Sequence, residues 1–230
     1  FKGWRLNEYI LLGKNPKYWH KDLPHYDKIR FKILPQANWL EAILAGELDL
    51  VPNFPGNLTT ELMHKGNNKF HIVKRLVLAG YWTLIPNEGI FADINVRKAL
   101  NLAVNKDDLV RFGDFGNAVP LASLGKKHEF GANEKLKPYP FDPIRAKELL
   151  AEAGVPKGHR LTILAADITE PAAKIIRSNL QAVGFKVELD VVSRSELAKR
   201  VIGHKIKTGK RSGYDLVINL VDNPIYHLGF

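Results

Sequence analysis

The stretch FADINVRKALNLAVNKDDLV, Phe91 to Val110, decides how the chain is read, because its helical signals agree with one another. Val96, Ala99, Leu100, Ala103 and Val104 recur at i, i+3, i+4, i+7 and i+8, a single apolar stripe with charges opposite. Asp93 stands at the N-cap, where its carboxylate can accept a free first-turn N–H and complement the positive helix end. Asn105 breaks the run and caps a second short helix ending near Gly113, with Asp108 three residues on in the reciprocal capping position. A core-facing surface helix has all of these features, so capping by itself says nothing about function.

Downstream, YPFDPIRAKELLAEAGVPKG predicts a helix with both ends marked. Asp142 caps it, Pro143 fills the first turn where a missing N–H costs nothing, and Gly154 closes it. Ala146, Leu149, Leu150 and Ala153 form its buried face. From Leu161 the order is strand (LTILAA), helix (Pro171 to Val183, closed by Gly184), strand (FKVELDVV), helix (Ser195 to Ile202) and strand (Tyr214 to Leu220). Such alternation, with Val- and Ile-rich strands, predicts a three-layer α/β arrangement.

Upstream, Phe1 to Leu12 reads as extended, Asn15-Pro16 marks a turn, and Ile29, Phe31 and Ile33 alternate with Arg30 and Lys32 as a half-buried strand should. ANWLEAILAGELDLV then predicts a helix with Asn38 as N-cap, Glu41 at the capping-box position and Gly46 as a left-handed C-cap. Leu48, Leu50 and Val51 return as a strand, which makes a parallel βαβ unit of this region. A short helix capped by Thr59 or Thr60 follows, then strands at Phe70 to Val77 and Tyr81 to Ile85.

The whole chain has 230 residues, 45% of them hydrophobic and 25% charged, enough to bury one large core or two lobes. No run approaches the roughly 20 apolar residues of a membrane span, and FKGWRLNEYI has no signal-peptide core. With no cysteine in the chain, thiolate metal sites and cysteine nucleophiles are excluded. A net charge of +10 admits an acidic partner, yet Lys and Arg are spread over the whole length. The one basic concentration, Lys199 to Arg211, lacks interleaved aromatics for base stacking and reads as a solvated loop, so no nucleic-acid partner is expected. The eight histidines are scattered without ligand spacing, and neither a nucleophile elbow nor a phosphate loop is present. Neither an enzyme, a metal nor a cofactor is indicated.

Several of these segments carry a resemblance. FADINVRKALNLAVNK is similar to F-x-D-x-x-V-R-x-A-L-x-x-A-[VI]-[ND]-[RK], and Asn15-Pro16-Lys17-Tyr18-Trp19 to N-P-x-Y-W. Ala45-Gly46-Glu47 with Asp49 is similar to A-G-E-[LIV]-D, and Phe141 to Gly154 lies near [FY]-D-P-x-x-A-K-x-L-L-x-E-A-G. These are the marks of the family 5 extracellular solute-binding proteins of ABC importers, the peptide- and nickel-binding group. The resemblance implies a two-lobed, type II periplasmic-binding-protein fold of α/β class with the first lobe incomplete. Residues 1–86 would be the partial first lobe, 87–222 the complete second lobe and 223–230 the return crossover, with Asn87 at the crossing near Pro86.

It further implies a periplasmic or extracellular, membrane-associated protein that works as a monomer. Such a protein captures an oligopeptide or similar small solute and hands it to an ABC transporter permease. A ligand-sensing domain of a membrane receptor is the alternative. In peptide-binding members the aspartate after the last second-lobe strand pairs with the ligand amine, which makes Asp222, with Asn223 beside it, the ligand-binding candidate. By itself Asp222-Asn223-Pro224 is equally a turn. Asn219, a further ligand-binding candidate together with Tyr81 and Trp82, stands where the family has a tryptophan, and the loop Ala166 to Pro171, ADITEP, lacks the arginine that holds a dipeptide carboxylate. Tyr81 and Trp82 sit beside the hinge, one expected in the core and the other in the cleft.

Overall fold

A computed structural model describes residues 1–52, 54–66, 69–73, 80–83, 88–122, 133–208 and 213–221. The chain forms two compact units, Phe1–Ile72 and Val73–Phe230. That division falls ahead of the boundary near Pro86 read from the sequence, because strand β4 (Gly80–Thr83) pairs into the sheet of the second unit.

The second unit is built on a four-stranded sheet in the order β4-β7-β5-β6. Here β5 is Arg160–Ala166, β6 is Lys186–Val192 and β7 is Leu216–Val221. β5 runs parallel to both β6 and β7, while β4 joins β7 antiparallel. The apolar runs of β5 and β7 are explained by burial on both faces. Leu161, Ile163, Ala165, Leu216 and Ile218 enter one core cluster, whereas the alternate residues Leu164, Ala166 and Val217 enter another. The sheet is therefore the middle of three layers.

The larger cluster is supplied by α3 (Ile94–Ala103), α5 (Pro143–Glu152) and α6 (Glu170–Ala182). Their predicted caps are in place. Asp93 Oδ1 accepts from the Asn95 N–H at 2.7 Å and Asp142 Oδ1 from the Arg145 N–H at 2.9 Å. The Asp142 N–H in turn donates to the Leu102 carbonyl at 2.9 Å, which joins the start of α5 to α3. Asn105 caps α4 (Lys106–Asp108) through Oδ1, and its Nδ2 donates to Asp108 Oδ2, so the reciprocal bond runs between side chains and not to the backbone. The Asn105 backbone N–H is taken by Asn179 Oδ1 of α6 at 2.9 Å.

A π-helical turn, Leu109–Gly113, follows α4 and lies close against α6. A Cβ on Gly113 would come within 3.3 Å of Ala172 Cβ, so the glycine permits that approach. On the opposite face α7 (Arg194–Thr208) buries Leu197, and it runs further than the Ser195 to Ile202 expected. Gly184 ends α6 at φ +110°, a conformation side-chain-bearing residues rarely adopt.

The first unit departs more from expectation. β1 (Gly3–Arg5), β2 (Tyr9–Gly13) and β3 (Lys28–Lys32) form an antiparallel sheet, order β1-β2-β3. Leu48, Leu50 and Val51 form no strand, so the described residues of the first unit contain no parallel βαβ unit. Helix α1 (Trp39–Leu44) is preceded by a 3-10 turn over Gln36–Asn38, which draws Asn38 into helical backbone and leaves it without a side-chain cap. Gly46 does adopt the left-handed conformation, φ +74°.

Helix α2 (Gly56–Lys65) starts after Pro55, and Thr59, expected as a cap, lies inside it with its hydroxyl donating to the Pro55 carbonyl at 2.9 Å. Residues 70–73 are not a strand; the rest of the expected strand to Val77, and Leu84 to Pro86, lie outside the described residues. Ile29, Phe31 and Ile33 do alternate, but at 42%, 53% and 47% exposure they are not half-buried in the described structure.

Candidate functional site

The loops that leave β5 and β6 part to opposite faces of the sheet. From β5 the chain enters α6, whose Ala173, Ile176 and Leu180 belong to the larger cluster; from β6 it enters α7, whose Leu197 belongs to the other. In open α/β sheets a crevice forms at the carboxyl ends of strands where connections diverge in this way, and ligands collect there. The carboxyl ends of β5, β6 and β7 are the natural place to look.

Within β7, two residues before its last, stands Asn219. Its neighbour Ile218 pairs with Ala165 of β5, so Asn219 lies just past the shared ladder, level with the end of β5. Its side-chain Oδ1 is buried and has no hydrogen-bond partner. A buried acceptor left unpaired costs about 1–3 kcal/mol, so such atoms are scarce in folded proteins. It is the only such side-chain atom among the described residues. What satisfies it is a donor, an amide N–H or an ammonium.

Next to it, Thr169 is fully buried. Its hydroxyl donates to the Ala166 carbonyl at 2.8 Å and lies 3.4 Å from the Ile218 carbonyl, which ties the 3-10 turn Asp167–Thr169 to the ends of both strands. The turn holds Asp167 and Ile168 outward in solvent; Asp167 Oδ1 accepts the Ile168 N–H at 2.8 Å. Where β6 meets α7, Ser193 Oγ accepts the Glu196 N–H at 3.2 Å and sits 3.1 Å from Ser195 Oγ. The rim so described carries hydroxyls, an amide and a carboxylate. It has no basic side chain between Ala166 and Glu170.

Helix α7 is fixed behind this rim by a charged network. Arg200 donates to Asp190 at 2.6 Å, to Glu196 at 3.0 Å and to the Tyr214 hydroxyl at 2.9 Å, while that hydroxyl donates to Asp190 at 2.8 Å. Glu196, foremost among these partners, raises the Arg200 guanidinium above its ordinary value. Burial first, then the proton-accepting Asp190, pushes the Tyr214 phenol above its usual 10.0. At the amino end of β7, Asp215 Oδ2 accepts from the Thr162 N–H at 2.7 Å and hydroxyl at 2.8 Å and aligns β5 with β7.

Of the residues singled out in the sequence, Trp82 and Asn219 are direct partners in the β4–β7 register, and Tyr81 faces Leu220. Three of the five thus come together on two adjacent strands. Asp222 and Asn223 follow the last residue of β7 and lie outside the described residues, as does Asn87. Thr169 and the outward pair Asp167 and Ile168 were not singled out; a threonine three residues after a buried strand is a weak signal, since the same pattern opens many helices. Among the described residues no three His, Cys, Asp or Glu are grouped to hold a metal, and no helix is long and apolar enough to cross a membrane.

Comparison with known proteins gives the family and the fold. Residues 1–219 match the model for "Bacterial extracellular solute-binding proteins, family 5 Middle". The glutathione-binding protein GsiB of Pectobacterium atrosepticum is 29% identical over 219 residues, 93% of this chain and 42% of that protein. Among solved structures, NikA from Brucella suis in complex with Fe(III)-EDTA superimposes with a TM-score of 0.77 at 27% identity, covering 96% of this chain and 46% of its own. DppA from Helicobacter pylori in complex with the peptide STSA gives 0.72 at 25%, covering 95% and 41%. The chain spans less than half the length of the proteins it matches.

Proposed function

We propose that this chain, which belongs to the bacterial extracellular solute-binding proteins of family 5, contributes the wall of a solute site at the carboxyl ends of β5, β6 and β7. Its fold is that of the type II periplasmic binding proteins. The single observation that carries the reading is the buried, unpartnered Asn219 Oδ1 in β7, level with the carboxyl end of the neighbouring core strand β5. A donor on the solute meets it, and Asp222, three residues on, supplies a carboxylate for a ligand amine. The second unit acts as one lobe, and its edge strand β4 carries Tyr81 and Trp82 beside Asn219.

The solute class is an oligopeptide or a similar compound with a free amine, delivered to the permease of an ABC importer from the periplasmic or extracellular side. Among the relatives, GsiB is named for glutathione and DppA was captured with a tetrapeptide. The rim's lack of a basic residue between Ala166 and Glu170 favours a solute whose carboxylate is not gripped there.

Calorimetry of the chain against glutathione and the peptide STSA is the test. Asn219→Ala and Asp222→Ala should each weaken binding by about tenfold, roughly 1.4 kcal/mol, with little change in melting temperature. Affinity unchanged in both variants would remove the assignment, as would the absence of any small molecule in the mass spectrum of gently denatured purified protein together with no binding of either probe.

A further inference from the structure

At the opposite edge of the same sheet, where β5 and β6 begin, lies a groove of about 420 Å³ between the last turns of α5 and α6. It is about 20 Å from the carboxyl ends, the rise of a seven-residue strand. Its floor is apolar: Leu150, Val155, Val183 and Phe185. Its rim is cationic, with Lys147 and Lys157 in the lining and Lys186 adjacent.

The rim is stiffly built. The Gly158 N–H donates to the Gly184 carbonyl at 2.7 Å, and the Lys186 N–H to the His159 carbonyl at 2.9 Å. The His159 ring packs edge-on to Phe185 with centroids 6.3 Å apart. Two lysine stems lie over glycines: a Cβ on Gly184 would meet Lys157 Cγ at 3.8 Å, and one on Gly158 would meet Lys186 Cε at 3.6 Å. Lysine stems laid along the surface in this way leave their ammonium heads to reach water.

None of these three lysines forms an ion pair with a described residue. The nearby carboxylates are already engaged, Glu148 and Glu152 with Arg145, and Glu188 with Arg160. An apolar floor ringed by unpaired cations complements a chain segment that inserts one large apolar side chain and flanks it with carboxylates. A concave floor of this size suits a side chain better than a lipid surface, which presents headgroups and no protruding anchor.

We infer that the groove rimmed by Lys147, Lys157 and Lys186 docks an acidic segment of a partner protein through a single apolar anchor. Because it lies at the far edge of the sheet from Asn219, partner and solute bind independently. The probe is a fluorescein-labelled, capped hexapeptide, Glu-Asp-Leu-Phe-Asp-Glu, titrated by anisotropy into the whole chain at low salt. Binding should weaken by about tenfold or more in Lys147→Glu/Lys157→Glu, by about as much when Leu-Phe is replaced by Ser-Ser, and clearly at about 0.3 M salt. Lys147→Arg/Lys157→Arg should keep it, and Asn219→Ala should leave it unchanged.

Several results would overturn the inference. One is no binding at low salt. Another is equal binding of the Ser-Ser peptide, which would mean charge attraction alone. Loss in Asn219→Ala with none in the lysine variant would mean the peptide enters the solute site. Lysine-dependent binding to phosphatidylglycerol vesicles without peptide binding would mean a lipid surface.

Discussion

The two compact units treat the same sequence signal in opposite ways. In β5 of the second unit, Leu161 and Ile163 alternate with neighbours and are fully buried; in β3 of the first, Ile29 and Phe31 alternate with Arg30 and are 42% and 53% exposed. The register puts Trp4, Ile10 and Phe31 in one cross-strand row, so the first sheet has an apolar face, and no described residue closes over it. β5 has a helical layer on each side, β3 has none among the described residues. Alternation therefore specifies which side chains share a face. Whether that face is dry depends on what the rest of the fold lays against it.

Truncation in the two units measures the contrast most directly. Ile163→Ala should cost about 3–4 kcal/mol of unfolding free energy, from lost transfer and the cavity it leaves. Urea denaturation followed by helical circular dichroism checks it. A cost under about 1 kcal/mol would mean that the core relaxes freely and that the two strands differ little.

Next in size is the clamp between β5 and β7. Asp215→Ala removes the acceptor of two bonds from Thr162 and should cost about 2 kcal/mol, with faster amide exchange at Thr162. If exchange there is unchanged, the strands hold their register without it.

A smaller effect lies at high pH. The Tyr214 phenol titrates above 10.0 in the folded chain. Below about pH 10 both folded and unfolded states keep the proton and nothing is lost; above it the unfolded state releases the proton first, so stability falls until the folded value is passed. Tyr214→Phe should flatten the decline of the urea midpoint above about pH 10. An equally steep decline in the variant would place the titration elsewhere.

The least effect is expected at the exposed face. Phe31→Ser should change stability by no more than about 0.5 kcal/mol and raise solubility, read by the same denaturation series. A cost rivalling that of Ile163→Ala would show that the first sheet is covered after all and would dissolve the contrast.

Much of the second unit was legible because its helices carry their own end signals. Asp93, Asn105 and Asp142 accept the first-turn N–H groups they were read to accept, and Gly184 is left-handed as required. The misreadings fall where a local signal had a competitor. Asn38 is a good cap by type, but the turn starting after Pro35 begins the helical backbone early and carries it past the capping conformation. Leu48 to Val51 has strand composition yet pairs with no strand among the described residues, and an unpaired strand has no ladder to hold it. Asn219 reads from the sequence as a ligand-binding candidate at the place of the family's tryptophan. That its oxygen is buried and unpaired could not be read from a string.

The sequence by itself determined the helix ends, the parallel βαβ order after Leu161 and the membership of the family, because caps, periodicity and motif spacing are local or linear properties. Tertiary structure alone decided that β4 joins the second unit's sheet, that three lysines ring an apolar groove, and that the side-chain oxygen of Asn219 ends up buried without a donor. Those outcomes depend on which strands lie side by side and on what layer covers them, and such contacts between residues far apart in the chain leave no periodic trace in the residues themselves.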